Sequence, residues 1–258
     1  MKPDALIDYG TWPRINAVLT ALAGARFTVG FKTPNQGRHF AYDYSAEHSL
    51  ERHEVENQRA LLGFLGATTD WDLSLQIPDS IAFSPPLPPQ SFVVFHAWAS
   101  GTRKRFKEWP VEHWRELGVC VADKTSGIVL TGGPADASDT EDLAQLVRAH
   151  VHNVPVIPVA GSYSLAQTAC LLRTAKAVVS VNTGIMHLAA LLGVPTIGLS
   201  GPSDPARWGP YGPQAVSLVP NQGTYGYLKL GFEYPPGGKP CLQYLWPAQV
   251  IAALSRWL

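Results

Sequence analysis

The sequence has no excess of either charge. Twenty Lys and Arg face twenty Asp and Glu, for a formal net charge of +0, which removes the global basic field expected of a nucleic-acid binder. Cysteine is scarce. The three present, Cys120, Cys170 and Cys241, are far apart and lack metal-ligand spacing, so neither a disulfide scaffold nor a zinc site is expected, and a reduced, cytoplasmic setting fits. The opening MKPDALIDYGTWPR has no basic start followed by an apolar run, so no signal peptide is read there. Internal repeats and low-complexity tracts are missing. No Gly-x-Ser-x-Gly elbow, P-loop or Gly-x-Gly-x-x-Gly turn occurs, which argues against a hydrolase elbow, a P-loop nucleotidase and an NAD-dependent oxidoreductase.

One uncharged stretch is long. Between Lys176 and Asp204 only His187 can carry a charge, and length alone would allow a membrane span. Asn182, Gly184, Gly193, Pro195 and Gly198 break the run. AVVSV and VPTIGLS read as strands, and TGIMHLAALLG between them as a helix apolar all round and therefore buried.

What is present is alternation. SFVVFHA reads as a buried strand, followed by a helix opened by Pro110 with Val111, Trp114, Leu117 and Val121 at helical spacing. GIVLTGG is the next strand, and Asp139 is expected to cap the helix carrying Leu143, Leu146 and Val147. VPVIPVA follows, then Ser164 and Gln167 as a capping box. AVSLV and a terminal helix over 247–258 complete an α/β set with a mainly parallel, doubly wound sheet over residues 92–258. Residues 1–76 read as a second α/β piece. Its helix over Ile15, Val18, Leu19 and Leu22 ends at Gly24, and a longer one runs through Leu50, Glu54, Asn57, Leu61 and Leu65. Residues 77–91, rich in Pro and Ser, read as a linker.

In parallel sheets ligands bind beyond the carboxyl ends of the strands. Four loops fall there: WASGTRKRFKEWP with its four cations, TGGPADASD, the turn VNTG entering a helix, and SGPSDPARWGPYG. Cations and a helix N-terminus suit phosphates, and an acid suits ribose, so the set points to a nucleotide-diphosphate site. Each part has a plainer reading. Lys107 can be a solvated lysine, His187 a core histidine and Asp136 a turn residue, while Asp204 and Arg207 can cap a helix or pair with each other. Asp70-Trp71-Asp72 matches a metal–diphosphate pattern but lies away from these loops. His48 and His53 read as solvated members of a charged helix without zinc spacing.

The run VNTGIMHLAALLGVPTIGLSGPSDPARWGPYG, with KEWPVEHWREL and LTGGPAD before it, resembles glycosyltransferase family 9, the ADP-heptose:lipopolysaccharide heptosyltransferases and their relatives. The similarity is strong over residues 92–212 and weaker over 5–66. It implies a GT-B architecture: two Rossmann-like domains, the C-terminal one binding a nucleotide-sugar donor and the N-terminal one the acceptor. It also implies Lys107 on the diphosphate, Thr183 and Gly184 presenting it to a helix N-terminus, His187 close by, Ser100 and Thr102 in the hydroxyl-bearing loop, and Asp136 near the nucleoside.

The implied activity is inverting transfer from a nucleotide-diphosphate sugar, ADP-heptose, to a lipopolysaccharide-core or related glycan acceptor, with no metal and no cofactor. The setting would be the cytoplasm, with at most peripheral contact with the inner face of the inner membrane. Two departures stand out. Asn182 replaces the family's Asp before Thr-Gly. The chain also begins after the strand and Gly-Asp turn that supply the family's proposed base, which makes the N-terminal domain a shortened one. The catalytic residue is therefore unassigned, with Asp4 and Asp8 the acids nearby, and a catalytically inactive nucleotide-sugar-binding relative is the alternative.

Overall fold

Three strands with almost no charge, β4 (Phe92–His96), β5 (Gly127–Thr131) and β7 (Ala177–Val181), are buried along their whole lengths. Strands of this kind are stable only where both sheet faces are covered. The computed structural model describes residues 3–68, 73–101, 103–230, 233–235 and 240–258. The chain divides into two compact units, Met1–Asp72 and Leu73–Leu258.

The second unit adds β6 (Val156–Pro158), β8 (Thr196–Leu199) and β9 (Ala215–Leu218) in the order β6-β5-β4-β7-β8-β9, every pairing parallel. Alternate residues of β4 point to opposite layers. Val93 and Phe95 pack with Trp114, Leu117 and Val121 of α3 (Val111–Ala122), Leu143 and Val147 of α4 (Ala137–Arg148), and Val250 and Leu254 of α8 (Pro247–Leu254). Phe92 and Val94 pack with Leu171 and Leu172 of α5 (Leu165–Thr174) and Ala189 of α6 (Gly184–Leu191). Each large side chain buried in this way contributes about 1.5–3 kcal/mol relative to leaving it in water.

Several sequence expectations are corrected. Pro110 is the cap before α3 rather than its first residue. Asp139 lies in the first turn of α4. The cap position belongs to Asp136, because the Pro134–Asp136 turn winds first and delivers the chain one turn early. The terminal helix stops at Leu254. The Ser164–Gln167 capping box forms in both directions, at 3.2 and 3.0 Å. The Pro/Ser-rich segment belongs to the second unit, where Ile77, Ile81 and Phe83 meet Ala169 and Cys170. The apolar helix α6 is buried on one side only, through Met186, Ala189 and Ala190.

The segment after β8 turns through α7 (Pro205–Trp208) and returns beside α6. There a Cβ on Gly212 would lie 2.7 Å from the backbone oxygen of Ala190. Gly212→Ala is therefore expected to cost about 1–3 kcal/mol, since backbone rather than a side chain must shift; urea unfolding of the variant checks it, and no loss would show that the approach is relaxed.

The first unit holds β1 (Ala5–Ile7), β2 (Phe27–Lys32) and β3 (Tyr44–Glu47) in parallel order β1-β2-β3, with α1 (Arg14–Leu22) and α2 (Glu54–Gly63). The expected helix after Leu50 starts only at Glu54, where the His53 ring accepts the Val55 N–H at 3.2 Å. His48 precedes that helix. It is buried, not solvated, and lies 3.4 Å from Glu54. In α1, Ile15, Val18, Leu19 and Leu22 are at least half exposed, and Ala17 and Thr20 face inward instead. Among the described residues no helix is long and apolar enough to cross a membrane.

Candidate functional site

The strand order reverses between β4 and β7, and a parallel sheet opens a crevice at such a reversal. A cavity of about 520 Å³ lies there, and Ser100, Asp136, Thr183, Gly184 and His187 are all on its wall. Half-buried Ile185 and Leu188 of α6 complete one side. That explains an apolar helix that is not fully buried: its outward residues line a cavity. Lys107 and Asn182 line a second cavity of about 260 Å³ with Ser203, Trp208, Leu228 and Leu230.

Of the four cations in the loop after β4, Lys107 alone lines either cavity among the described residues. Its ammonium donates to the Ser100 carbonyl at 2.6 Å, and burial lowers its pKa below the usual lysine value. Lys104 instead approaches Asp139 at 3.9 Å, and the Arg103 guanidinium lies 5.1 Å from the Tyr234 ring centre. Glu108 is half-buried, accepts the Ala99 N–H at 3.2 Å, and has its pKa raised, chiefly by burial.

The turn after β7 has three parts. Asn182 donates its amide to the Trp208 carbonyl at 2.8 Å, an interaction closed to a carboxylate. Thr183 occupies the cap position of α6 without capping it, and its buried Oγ1 has no hydrogen-bond partner among the described residues. Gly184, the first helical residue, is exposed, and a Cβ there would meet nothing within 4 Å. The α6 N-terminus thus presents free backbone N–H groups and an unused hydroxyl, a ready anion site.

Asp136 behaves first as the turn residue of the plainer reading, accepting the Gly133 N–H at 2.9 Å, but it also borders the 520 Å³ cavity. Asp204 caps α7 through Ala206 N–H at 3.0 Å, while Arg207 is buried with its guanidinium 4.7 Å from the Trp208 ring centre. Thr102, Asp70 and Asp72 lie outside the described residues. Neither acid near the start of the chain is placed as a free base. Asp4 is exposed beside Arg26 at 3.5 Å, and Asp8 is buried with both carboxylate oxygens engaged by Gly10, Arg38 and Tyr42.

One residue escaped the sequence reading. His96 ends β4 and lines both the 520 Å³ cavity and an adjoining one of about 270 Å³. The available signal was a lone polar residue closing the apolar strand FVVFH at the start of the cation loop. Burial pushes its pKa from 6.5 down to about 4, against smaller upward pulls from Asp136 and the Thr131 backbone. A depressed folded-state pKa means that the unfolded chain takes up the proton first. Stability is therefore whole above pH 6.5 and falls as the pH drops toward about 4, by up to about 3 kcal/mol. Urea unfolding at about pH 7.5 and 4.5 checks this: His96→Gln should lose less stability on acidification than the native chain, and equal losses would refute it.

The profile of glycosyltransferase family 9 (heptosyltransferase) matches residues 14–227. Lipopolysaccharide heptosyltransferase 1 of Escherichia coli K12 is 33% identical over 228 residues, covering 85% of this chain and 67% of that protein. The homonymous protein of Pseudomonas aeruginosa is 37% identical over 136 residues, covering 53% of this chain and 37% of its own. The chain thus spans about two thirds of the length of the first relative and less of the second. Among solved structures, E. coli heptosyltransferase WaaC with ADP aligns with a TM-score of 0.71 at 26% identity over 100% of this chain and 74% of that one. A family 9 glycosyltransferase from Veillonella parvula shares the fold, with a TM-score of 0.70 at 19% identity over 100% of this chain and 74% of its own. With a profile match across most of its length and a relative at this identity, the chain belongs to glycosyltransferase family 9, the heptosyltransferase family.

Proposed function

We propose that the second unit binds the nucleoside diphosphate of a nucleotide sugar, ADP-heptose. The chain would transfer the sugar to a lipopolysaccharide-core or related glycan acceptor, the first unit contributing on the acceptor side. The reading is carried by one observation: Thr183 and Gly184 open the α6 N-terminus into the cavity at the sheet's reversal, with an uncommitted buried hydroxyl. The relatives add support, since one solved heptosyltransferase structure is described with ADP.

In the proposed reaction an acceptor hydroxyl attacks the anomeric carbon opposite its bond to the diphosphate. The new C–O bond forms as the old one breaks, the acceptor's hydroxyl proton is lost to water, the electron pair leaves with the nucleoside diphosphate, and the configuration inverts. Negative charge grows on the departing phosphate, so Lys107 and the α6 N–H groups stabilise the transition state more than the bound donor. That is work a metal ion does elsewhere, and metal-independent transfer is proposed here. Asn182, neutral where the family carries Asp, adds no repulsion toward the diphosphate. The setting proposed is cytoplasmic, with at most peripheral contact with the inner membrane.

The test is incubation of radiolabelled ADP-heptose with heptose-free lipopolysaccharide core in the presence of EDTA, with the anomeric configuration read by NMR. Inverted product with metal chelated is expected. No transfer with any nucleotide sugar would sink the enzymatic reading. A second reading, binding without transfer, is favoured by the engagement of both Asp8 oxygens; it predicts ADP binding with no product.

A further inference from the structure

We propose that His96 is a specificity residue of this site, its neutral ring accepting a hydrogen bond from a donor on the nucleoside, either a ribose hydroxyl or an exocyclic base amine. The inference rests on the nucleotide reading of the cavity and deepens it.

His96 lies opposite Thr131 in the β4–β5 register, with Nδ1 3.0 Å from Thr131 Oγ1. That hydroxyl has one hydrogen, and the Phe95 carbonyl, 3.3 Å away, is an acceptor within its reach. With that hydrogen on the Phe95 carbonyl, Oγ1 accepts from the ring; on this proposal Nδ1 is therefore the protonated nitrogen and Nε2 the one that keeps a lone pair. His96 is 7% exposed, and what it lines is the pair of cavities beyond β4.

A lone pair repels phosphate oxygens and requires a donor. Burial keeps the ring neutral through the physiological range, so it does not become an anion-binding cation there. In a nucleoside diphosphate the ionised phosphates carry no donors; ribose hydroxyls and base amines do. The wall divides accordingly. Gly184 and Thr183 offer donors, Asp136 and His96 offer acceptors, and Lys107 lies on the neighbouring cavity. A ligand with an anionic end and a hydroxyl- and amine-bearing end fits one way round.

The test is calorimetry of the full chain with ADP, 2′-deoxy-ADP, 3′-deoxy-ADP, inosine diphosphate and inorganic pyrophosphate. His96→Leu is expected to weaken ADP about tenfold, near the upper end for one neutral hydrogen bond, and to leave pyrophosphate unchanged. His96→Gln, which carries a carbonyl near the Nε2 position, should recover most of the loss. The analogue lacking the relevant donor should bind the native chain and His96→Leu alike, which identifies that donor. On the native chain, the nitrogen-15 resonance of His96 Nε2 should shift on adding ADP and not pyrophosphate, a readout independent of whether a variant folds. Equal weakening of ADP and pyrophosphate, a penalty that persists with every analogue, or a proton found on Nε2 would each overturn the proposal alone. Failure of the native chain to bind ADP would overturn the nucleotide reading and this inference with it.

Discussion

Lys107→Ala is expected to lower ADP affinity about 10- to 100-fold and the rate of sugar transfer about 100- to 1,000-fold, with little change in stability. The ammonium is held by the Ser100 carbonyl at 2.6 Å in a half-buried setting, so the charge is placed before a ligand arrives. On the proposed reading, the reduced dielectric there would strengthen its pull on phosphate oxygens, and the pull would grow as the leaving group gains charge. Because burial has already lowered its pKa, ADP affinity should fall on alkalinisation earlier than for an ordinary lysine. Lys107→Arg should recover only part of the loss, since a planar guanidinium does not occupy the place of a compact ammonium. Calorimetry with ADP and steady-state transfer rates check both variants. An unchanged ADP affinity in Lys107→Ala would remove the residue from the site.

The second large effect lies in the first unit. Its buried apolar cluster centres on Val29, Phe31, Ala46 and Leu61, a small core for a unit of this length. Beside it sits a buried ionic knot. Asp8 Oδ2 accepts from Arg38 at 2.7 Å and from Tyr42 at 2.5 Å, Oδ1 accepts the Gly10 N–H at 2.8 Å, and the Arg38 side chain is wholly buried. Burial and the Asp8 bond raise the Tyr42 pKa to about 12, so the phenol stays a donor. Asp8→Ala would strand the guanidinium, whose Nε and Nη1 already lack partners among the described residues. The expected loss is about 3–5 kcal/mol, enough to unfold this unit first. Hydrogen exchange of the β1–β3 amides alongside urea unfolding checks it. A loss under about 1 kcal/mol would mean the knot contributes little. Replacing Asp8, Arg38 and Tyr42 together with apolar residues of similar volume should cost far less, because no charge is left behind.

These two sites differ in how far the sequence discloses them. The β7–α6 turn is legible because strand, turn and helix follow one another within VNTGIMHLAALLG, and a phosphate site needs only that local order. Lys107 is legible as a cation in the loop after a buried strand. The Asp8–Arg38–Tyr42 knot is not, since its members stand 30 and 34 residues apart and meet only when β1 and β2 pair. His48 is hidden from the sequence for a related reason: the charged run around it resembles a helix surface, but the helix waits for the His53 cap, leaving His48 to turn inward against Glu54. His96 needed the register, because its hydrogen-bond partner Thr131 lies opposite it on β5.

The Asn182–Trp208 hydrogen bond couples the residue type at 182 to the backbone conformation of the loop that carries Trp208. Selection acting on residue 182 alone would meet a barrier at aspartate, whose oxygens face the Trp208 carbonyl without a proton to share, so the amide is entrenched by the backbone of a different loop. A combinatorial library that varies 182 together with 205–210, letting that carbonyl turn away, should recover carboxylate variants that a single-site library discards. The loop, more than the turn it touches, would then set which residue types position 182 can accept.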